Sequence, residues 1–157
     1  MFTAQSKRYF YCRDAICQFV FERGSIPLNP FRVFGYFLGD LVDRDVVRQA
    51  NNNLIRIADE LWVFGTTVAN GVLFEINYAH QLEMPVKFFT VATRASEIRP
   101  APVEALRFEA ELYHLGYKRE QLRAIASGVE PMAEPLPTLF DLDELDLQQP
   151  DGVRDTA

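Results

Sequence analysis

An α/β fold on a parallel sheet is what this sequence predicts, and three observations carry the prediction. Leu61–Phe64 is a row of four apolar residues without alternation, which suits a strand covered on both faces. Further short apolar runs stand at Met1–Ala4, Ser25–Pro30 and Val86–Val91, each separated from the next by a stretch of helical periodicity. Strands separated by helices pair in parallel through right-handed crossovers, which implies a small Rossmann-like three-layer sandwich with a sheet of about four strands. C-terminal helices and an acidic tail complete the expected architecture.

The elements follow in order. Met1–Ala4 is a short first strand, and the apolar positions Tyr9, Cys12, Ile16 and Val20 give a helix from about Arg8 to Arg23 that Gly24 stops. Ser25–Pro30 is a second strand whose terminal prolines leave it few ladder bonds. An aromatic connection covers Phe31 to Leu41, with a short helix inside it. Val46, Val47, Ala50, Leu54 and Ile57 then keep helical spacing through Asp43–Ala58. Gly65 ends the third strand, turn-forming residues run from Thr66 to Gly71, and Asn70 is placed to cap a helix from about Gly71 to Leu82. Met84-Pro85 introduces the fourth strand, Val86 to Val91. Pro102–Tyr113 and Arg119–Ala126 read as two helices around Gly116.

Composition bounds the function classes. A chain of 157 residues with 48% hydrophobic residues and 13 Phe buries a real core in one domain, set at residues 1–128. Eight acids against Arg154 alone give the segment from Val129 a charge of −7, which leaves residues 1–128 at +1. A nearly neutral body offers no basic surface for a nucleic-acid polymer. Four prolines and this acidic excess predict that residues 129–157 are disordered or loosely docked, while the Leu/Asp alternation of Leu139–Leu147 also suits a protein partner. Apolar runs of this length span no membrane, the N-terminus has no signal-peptide pattern, and the cytoplasm is the expected location. Cys12 and Cys17 are spaced for helix packing rather than a mutual disulfide, with a nucleophilic thiol as the lesser reading. His80 and His114 lie far apart, so no metal-ligand spacing exists and no cofactor is implied.

In a parallel sheet, ligands sit beyond the carboxyl ends of the strands. That edge collects Ser6, Lys7, Arg8 and Tyr9 after the first strand, Asn29 after the second, Asp43 and Asp45 opening a helix, and Thr66 to Glu75, with Asn70 and Gly71 at the turn. Asp59 precedes the third strand and belongs to the opposite edge. On a helix turning about 100° per residue, Glu75 falls inside the apolar arc of Val72, Ile76, Ala79 and Leu82. An inward carboxylate needs compensation. Either it pairs with an arginine or backbone amides as a structural group, or the helix N-terminus holds it ionised as a nucleophile or base. Tyr9, Phe10, Tyr11, Phe31, Phe34, Tyr36 and Phe37 form an aromatic set; most suit a core or subunit interface, and Tyr9 and Phe34 are best placed to stack a base.

Ile57–Phe64, Asn70–Ala79 and Met84–Phe89 together resemble the nucleoside 2-deoxyribosyltransferase-like superfamily: an Ala-Asp-plus-apolar strand, a Gly-x-x-x-Glu helix start, and a short strand after a small turn. The resemblance covers roughly Ala4 to Val91 and marks this chain as a divergent member. It implies an N-glycosidase or deoxyribosyltransferase acting on a nucleoside or nucleoside 5′-monophosphate, in a homo-oligomer whose neighbour completes the pocket. Glu75 matches the catalytic glutamate that attacks the anomeric carbon. The chain departs from the pattern at three places. Asn51 stands where relatives often carry an acid, Ala69 and Asn70 where some have Asp or Ser, and Ser6-Lys7-Arg8 where a Gly-Pro turn is common. Three readings stay open: an enzyme using another acid such as Asp43 or Asp45, with Lys7 and Arg8 receiving a phosphate; an inactive nucleotide-binding sensor or sponge; or an interaction protein working through its acidic tail, with Glu75 structural.

Overall fold

The computed structural model describes residues 1–35 and 41–133. Tyr36 and Phe37 of the aromatic connection lie outside the described residues, as does the acidic segment from Glu134 onward.

The chain is a mixed α/β structure with small parallel sheets. Strands β1 (Phe2–Gln5), β2 (Leu61–Phe64) and β4 (Val86–Phe89) form a three-stranded sheet in the order β1-β2-β4, and both pairings are parallel. In register, Ala4 stands beside Val63, and Val63 beside Phe88. A separate parallel pair joins β3 (Thr67–Val68) to β5 (Arg107–Phe108). The expected second strand is reduced to one parallel bridge between Leu28 and Phe2. Pro27 and Pro30 explain this, because neither has an N–H to donate to a ladder.

Both faces of the main sheet are covered, as the unalternated run at Leu61–Phe64 requires. Phe2, Ala4, Leu61 and Val63 bury one face against Leu73, Ile76 and Ala79 of helix α4 (Asn70–Gln81), and Leu122 and Ile125 of helix α6 (Arg119–Ala126), which packs on α4, join the same core. Trp62, Phe64 and Phe89 bury the other against Ile16, Phe19 and Val20 of helix α1 (Arg13–Phe21). Phe19 meets Trp62, Phe64 and Phe89 edge-on, with centroids 5.2–6.1 Å away. Such contacts add to the burial itself.

Other elements shift from expectation in informative ways. Residues Lys7–Cys12 form a 3-10 helix kinked at Tyr9, so the α-helix proper begins at Arg13. The aromatic connection contains one short helix, α2 (Pro30–Val33), and helix α3 spans Arg44–Arg56. The expected helix over 102–113 breaks into a 3-10 turn (Val103–Ala105), strand β5 and helix α5 (Ala110–His114). Leu106 and Phe108 are buried while Arg107 is exposed, the period of a strand. Burial pushes both cysteine thiols above their ordinary value, in keeping with packing roles, and both are free. No helix among the described residues is long and apolar enough to cross a membrane.

Packing continues past residue 128. Met132 is 6% exposed within the main core, and its N–H donates to Asn77 Oδ1 on α4 at 3.1 Å. A chain ending at residue 128 is therefore expected to be about 2–4 kcal/mol less stable than one ending at 133, measured by urea unfolding of the two truncations. Equal stabilities contradict the Met132 anchor.

Candidate functional site

The sequence-predicted residues separate into two groups in space, one between helices and one at the carboxyl edge of β1. Glu75 lies in the second turn of α4 and faces α3 rather than the sheet, because Asn51 of α3 donates from Nδ2 to Glu75 Oε1 at 2.9 Å. Arg48, one turn earlier on α3, is not the partner of this carboxylate: it pairs with Asp45 at 3.2 Å and lies over the Phe74 ring. Burial pushes the Glu75 carboxyl up to about 8, and the Asn51 amide only partly offsets it. The residue as a whole is half-buried, and desolvation of its carboxyl is the larger effect.

This reverses the expectation that the helix N-terminus keeps Glu75 ionised. The helix dipole fades within the first turn, and Glu75 stands in the second, where desolvation is the larger effect. Neither an arginine pair nor backbone donors compensate it among the described residues. Three buried amide oxygens on α3 and α4 are left short of donors. Asn51 Oδ1, Gln49 Oε1 and Asn70 Oδ1 are all buried without a hydrogen-bond partner among the described residues. Buried orphan acceptors are costly and call for a partner. Asn70 is also not the cap it was expected to be: Ala69 takes the N-cap position without a side-chain bond, and Asn70 is the first helical residue. Gly71 has open space around its Cα, so its smallness meets no packing demand.

The second group is built around Ser6. Ser6 is buried and caps the 3-10 helix; its Oγ accepts from Arg8 N–H and donates to Glu109 Oε1, both at 3.4 Å. The Arg8 Nε approaches the same carboxylate oxygen at 3.6 Å. Lys7 beside it is exposed and has an interaction of its own. The Tyr9 ring lies over Gly65 at the end of β2, and the Tyr9 carbonyl accepts from Gln5 Nε2 at 2.9 Å. Glu109 N–H donates to Val68 O at 3.0 Å, one residue before the cap of α4, which ties this group to the helix that carries Glu75.

Glu109 escaped sequence reasoning. The expected helix over 102–113 places it in a helix interior, and only the Leu106-Arg107-Phe108 alternation points to a strand ending just before it.

Three further expected site residues have other work. Asn29 is buried with its amide spent inside the protein: Nδ2 donates to Thr3 Oγ1 at 2.8 Å and Gln5 Oε1 at 2.9 Å, while Oδ1 caps α2 through Phe31 N–H. It holds the β1 edge in place instead of presenting a free polar atom. Asp43 caps α3 through Asp45 N–H at 2.8 Å, and Asp45 engages Arg48; both carboxylates are exposed and neither bonds Glu75 among the described residues. Phe34 closes α2 and is half-buried.

A family model described as a domain of unknown function, DUF7768, matches residues 2–89, from β1 through β4. Neither a curated protein nor a solved structure matches the chain. The matched segment contains Asn51, Glu75 and the β1 loop, whereas Glu109 lies beyond it. With more than half of its length covered by that model, the chain belongs to the DUF7768 family of domains of unknown function.

Proposed function

We propose that the protein cleaves the N-glycosidic bond of a nucleoside or nucleoside 5′-monophosphate, with Glu75 as the nucleophile. The observation that carries this reading is a desolvated carboxyl held by a single amide, that of Asn51, whose own buried Oδ1 lacks a donor among the described residues. A sugar bearing hydroxyls and a base bearing amino groups supply such donors. Parallel strands with helices on both faces support the Rossmann-like three-layer reading, and the resemblance to nucleoside 2-deoxyribosyltransferases supports the chemistry. The cytoplasm, where nucleosides are salvaged, is the proposed setting. Assembly into a homo-oligomer belongs to the same proposal.

In the reaction, a Glu75 carboxylate oxygen bonds the anomeric carbon while the carbon–nitrogen bond breaks, and its electron pair leaves with the base. The base takes a proton from solvent or from an acid at the edge. Water then opens the glycosyl ester to release free sugar, or a second base attacks the anomeric carbon and completes transfer. Only the ionised carboxyl attacks, so the rate rises with pH until it levels above about 8. Incubation with a panel of nucleosides and 5′-monophosphates across pH 6–9, with free base as the readout, tests the reading. No base released at any pH overturns it.

Binding without turnover is the second reading. It is favoured by Asn51, a neutral amide where an acid would shuttle a proton, and by a Glu75 that holds its proton near neutral pH. A raised melting temperature with the same panel and unchanged ligand supports it. A protein partner for the acidic tail rests on the sequence pattern of Leu139–Leu147.

A further inference from the structure

We propose that the β1 edge of the site selects an uncharged nucleoside over its 5′-phosphate, and that Glu109 makes the selection. The inference rests on reading this edge as part of the nucleoside site and names its substrate class. The sequence suggests the opposite, since Ser6, Lys7 and Arg8 look like a phosphate cradle of one hydroxyl, two cations and a turn of backbone N–H groups.

The structure has already assigned these donors. Ser6 gives its hydroxyl proton to Glu109 Oε1 at 3.4 Å, Arg8 N–H is directed at Ser6 Oγ, and Arg8 Nε faces Glu109 Oε1 at 3.6 Å. Lys7 is engaged as well. A phosphate arriving here meets a carboxylate at the centre of its own donor set. It brings a charge of about −1.5 to −2 near neutral pH, and like charges at this distance disfavour binding. It also has to take Ser6 and Arg8 away from Glu109, which leaves a partly buried carboxylate, 26% exposed, without its partners.

A sugar hydroxyl fits the same groups without that conflict. Glu109 Oε2 has no bond among the described residues and accepts a hydroxyl proton, while the Arg8 guanidinium, 54% exposed, still presents its terminal N–H groups to a neutral oxygen. The position suits such a contact. Glu109 N–H is anchored to Val68 O just before the α4 cap, and Glu75 lies five residues into that helix from Asn70, about 8 Å along its axis. The Glu109 backbone thus joins the β1 edge to the start of α4, the helix that carries Glu75. Glu109 itself stands between β5 and α5, beyond the segment that the family model matches.

Calorimetric titration of the full chain with matched nucleoside and 5′-monophosphate pairs tests this. The wild-type protein is expected to bind the nucleoside at least about tenfold more tightly, and Glu109→Gln to erase or reverse that ratio by strengthening monophosphate binding. Arg8→Gln, which keeps Glu109, is expected to retain the nucleoside preference. Equal or tighter binding of the monophosphate by the wild-type chain overturns the inference, as does an unchanged ratio in Glu109→Gln or binding of neither class. The readout is binding, so the two proposals fail separately. A chain that prefers nucleosides yet releases no base keeps this inference and ends the cleavage reading. One that releases base only from monophosphates does the reverse.

Discussion

Glu75→Gln is expected to abolish base release, by at least about a thousandfold, while making the folded protein more stable at alkaline pH. Both effects come from one cause. Gln keeps an acceptor for the Asn51 amide but has no ionisable oxygen with which to attack a sugar. Its stability follows from linkage. In the unfolded chain Glu75 releases its proton near the ordinary value of 4.5, whereas in the folded protein it keeps it to about 8. Across that window the native state binds the additional proton, so the Glu75 contribution to stability is complete below about 4.5, falls as pH rises, and is fully lost above about 8. With the residue only half-buried, the total is about 1–3 kcal/mol, less than the full shift converts to at about 1.4 kcal/mol per unit. Urea unfolding of both proteins from pH 5 to 9 measures it. The Gln variant should lose less stability than the wild type over this range. A structural Glu75 predicts the reverse, with Gln the less stable protein at every pH and base release unaffected.

Gly65→Ala is expected to cost about 2–5 kcal/mol and to disturb the β1 edge at the same time. Gly65 ends β2 at φ +96°, where an L side chain is strained, and its N–H donates to Phe89 O at 2.9 Å, so the backbone has little freedom to relax. A Cβ there would lie 2.7 Å from Cδ2 and 2.9 Å from Cζ of Tyr9, and closer still to Cε2. The ring has to move away, and it belongs to the residue whose carbonyl accepts from Gln5 Nε2. Gln5 in turn accepts from Asn29, so any shift of the Tyr9 backbone that accompanies the ring is passed to that amide. Thermal unfolding should show the loss, and pairing the substitution with Tyr9→Ala should recover the part due to the clash while leaving the backbone strain. A Gly65→Ala protein as stable as the wild type contradicts the close approach.

Much of the frame was legible because its signals are local. Four apolar residues at Leu61–Phe64 require burial on both faces, and the structure places α1 on one side and α4 on the other. Helices α3, α4 and α6 appear within a residue or two of the bounds their periodicity implies. The element most poorly read was β5, since two residues of strand carry too little pattern to stand out from the helical stretch around them. Leu28 failed for a different reason: apolar composition suggested a strand, but proline removed the N–H groups needed to make one.

The candidate site divides along the same line. Glu75 and its inward arc could be read from helical spacing, because the angle between residues on one helix is a property of that helix alone. Its partner and charge could not, since Asn51 is 24 positions away and desolvation depends on everything packed around the carboxyl. Glu109 is the clearest case. It reaches Ser6 across 103 positions, and with that one contact turns an apparent phosphate cradle into a paired and partly neutralised edge. Sequence by itself determined the longer elements, β2 and helices α3, α4 and α6, and which carboxylate turns inward, because those follow from short-range backbone geometry. Tertiary structure decided whether that carboxyl holds its proton and which donors remain for a ligand, because solvation and pairing are set by neighbours distant in the chain.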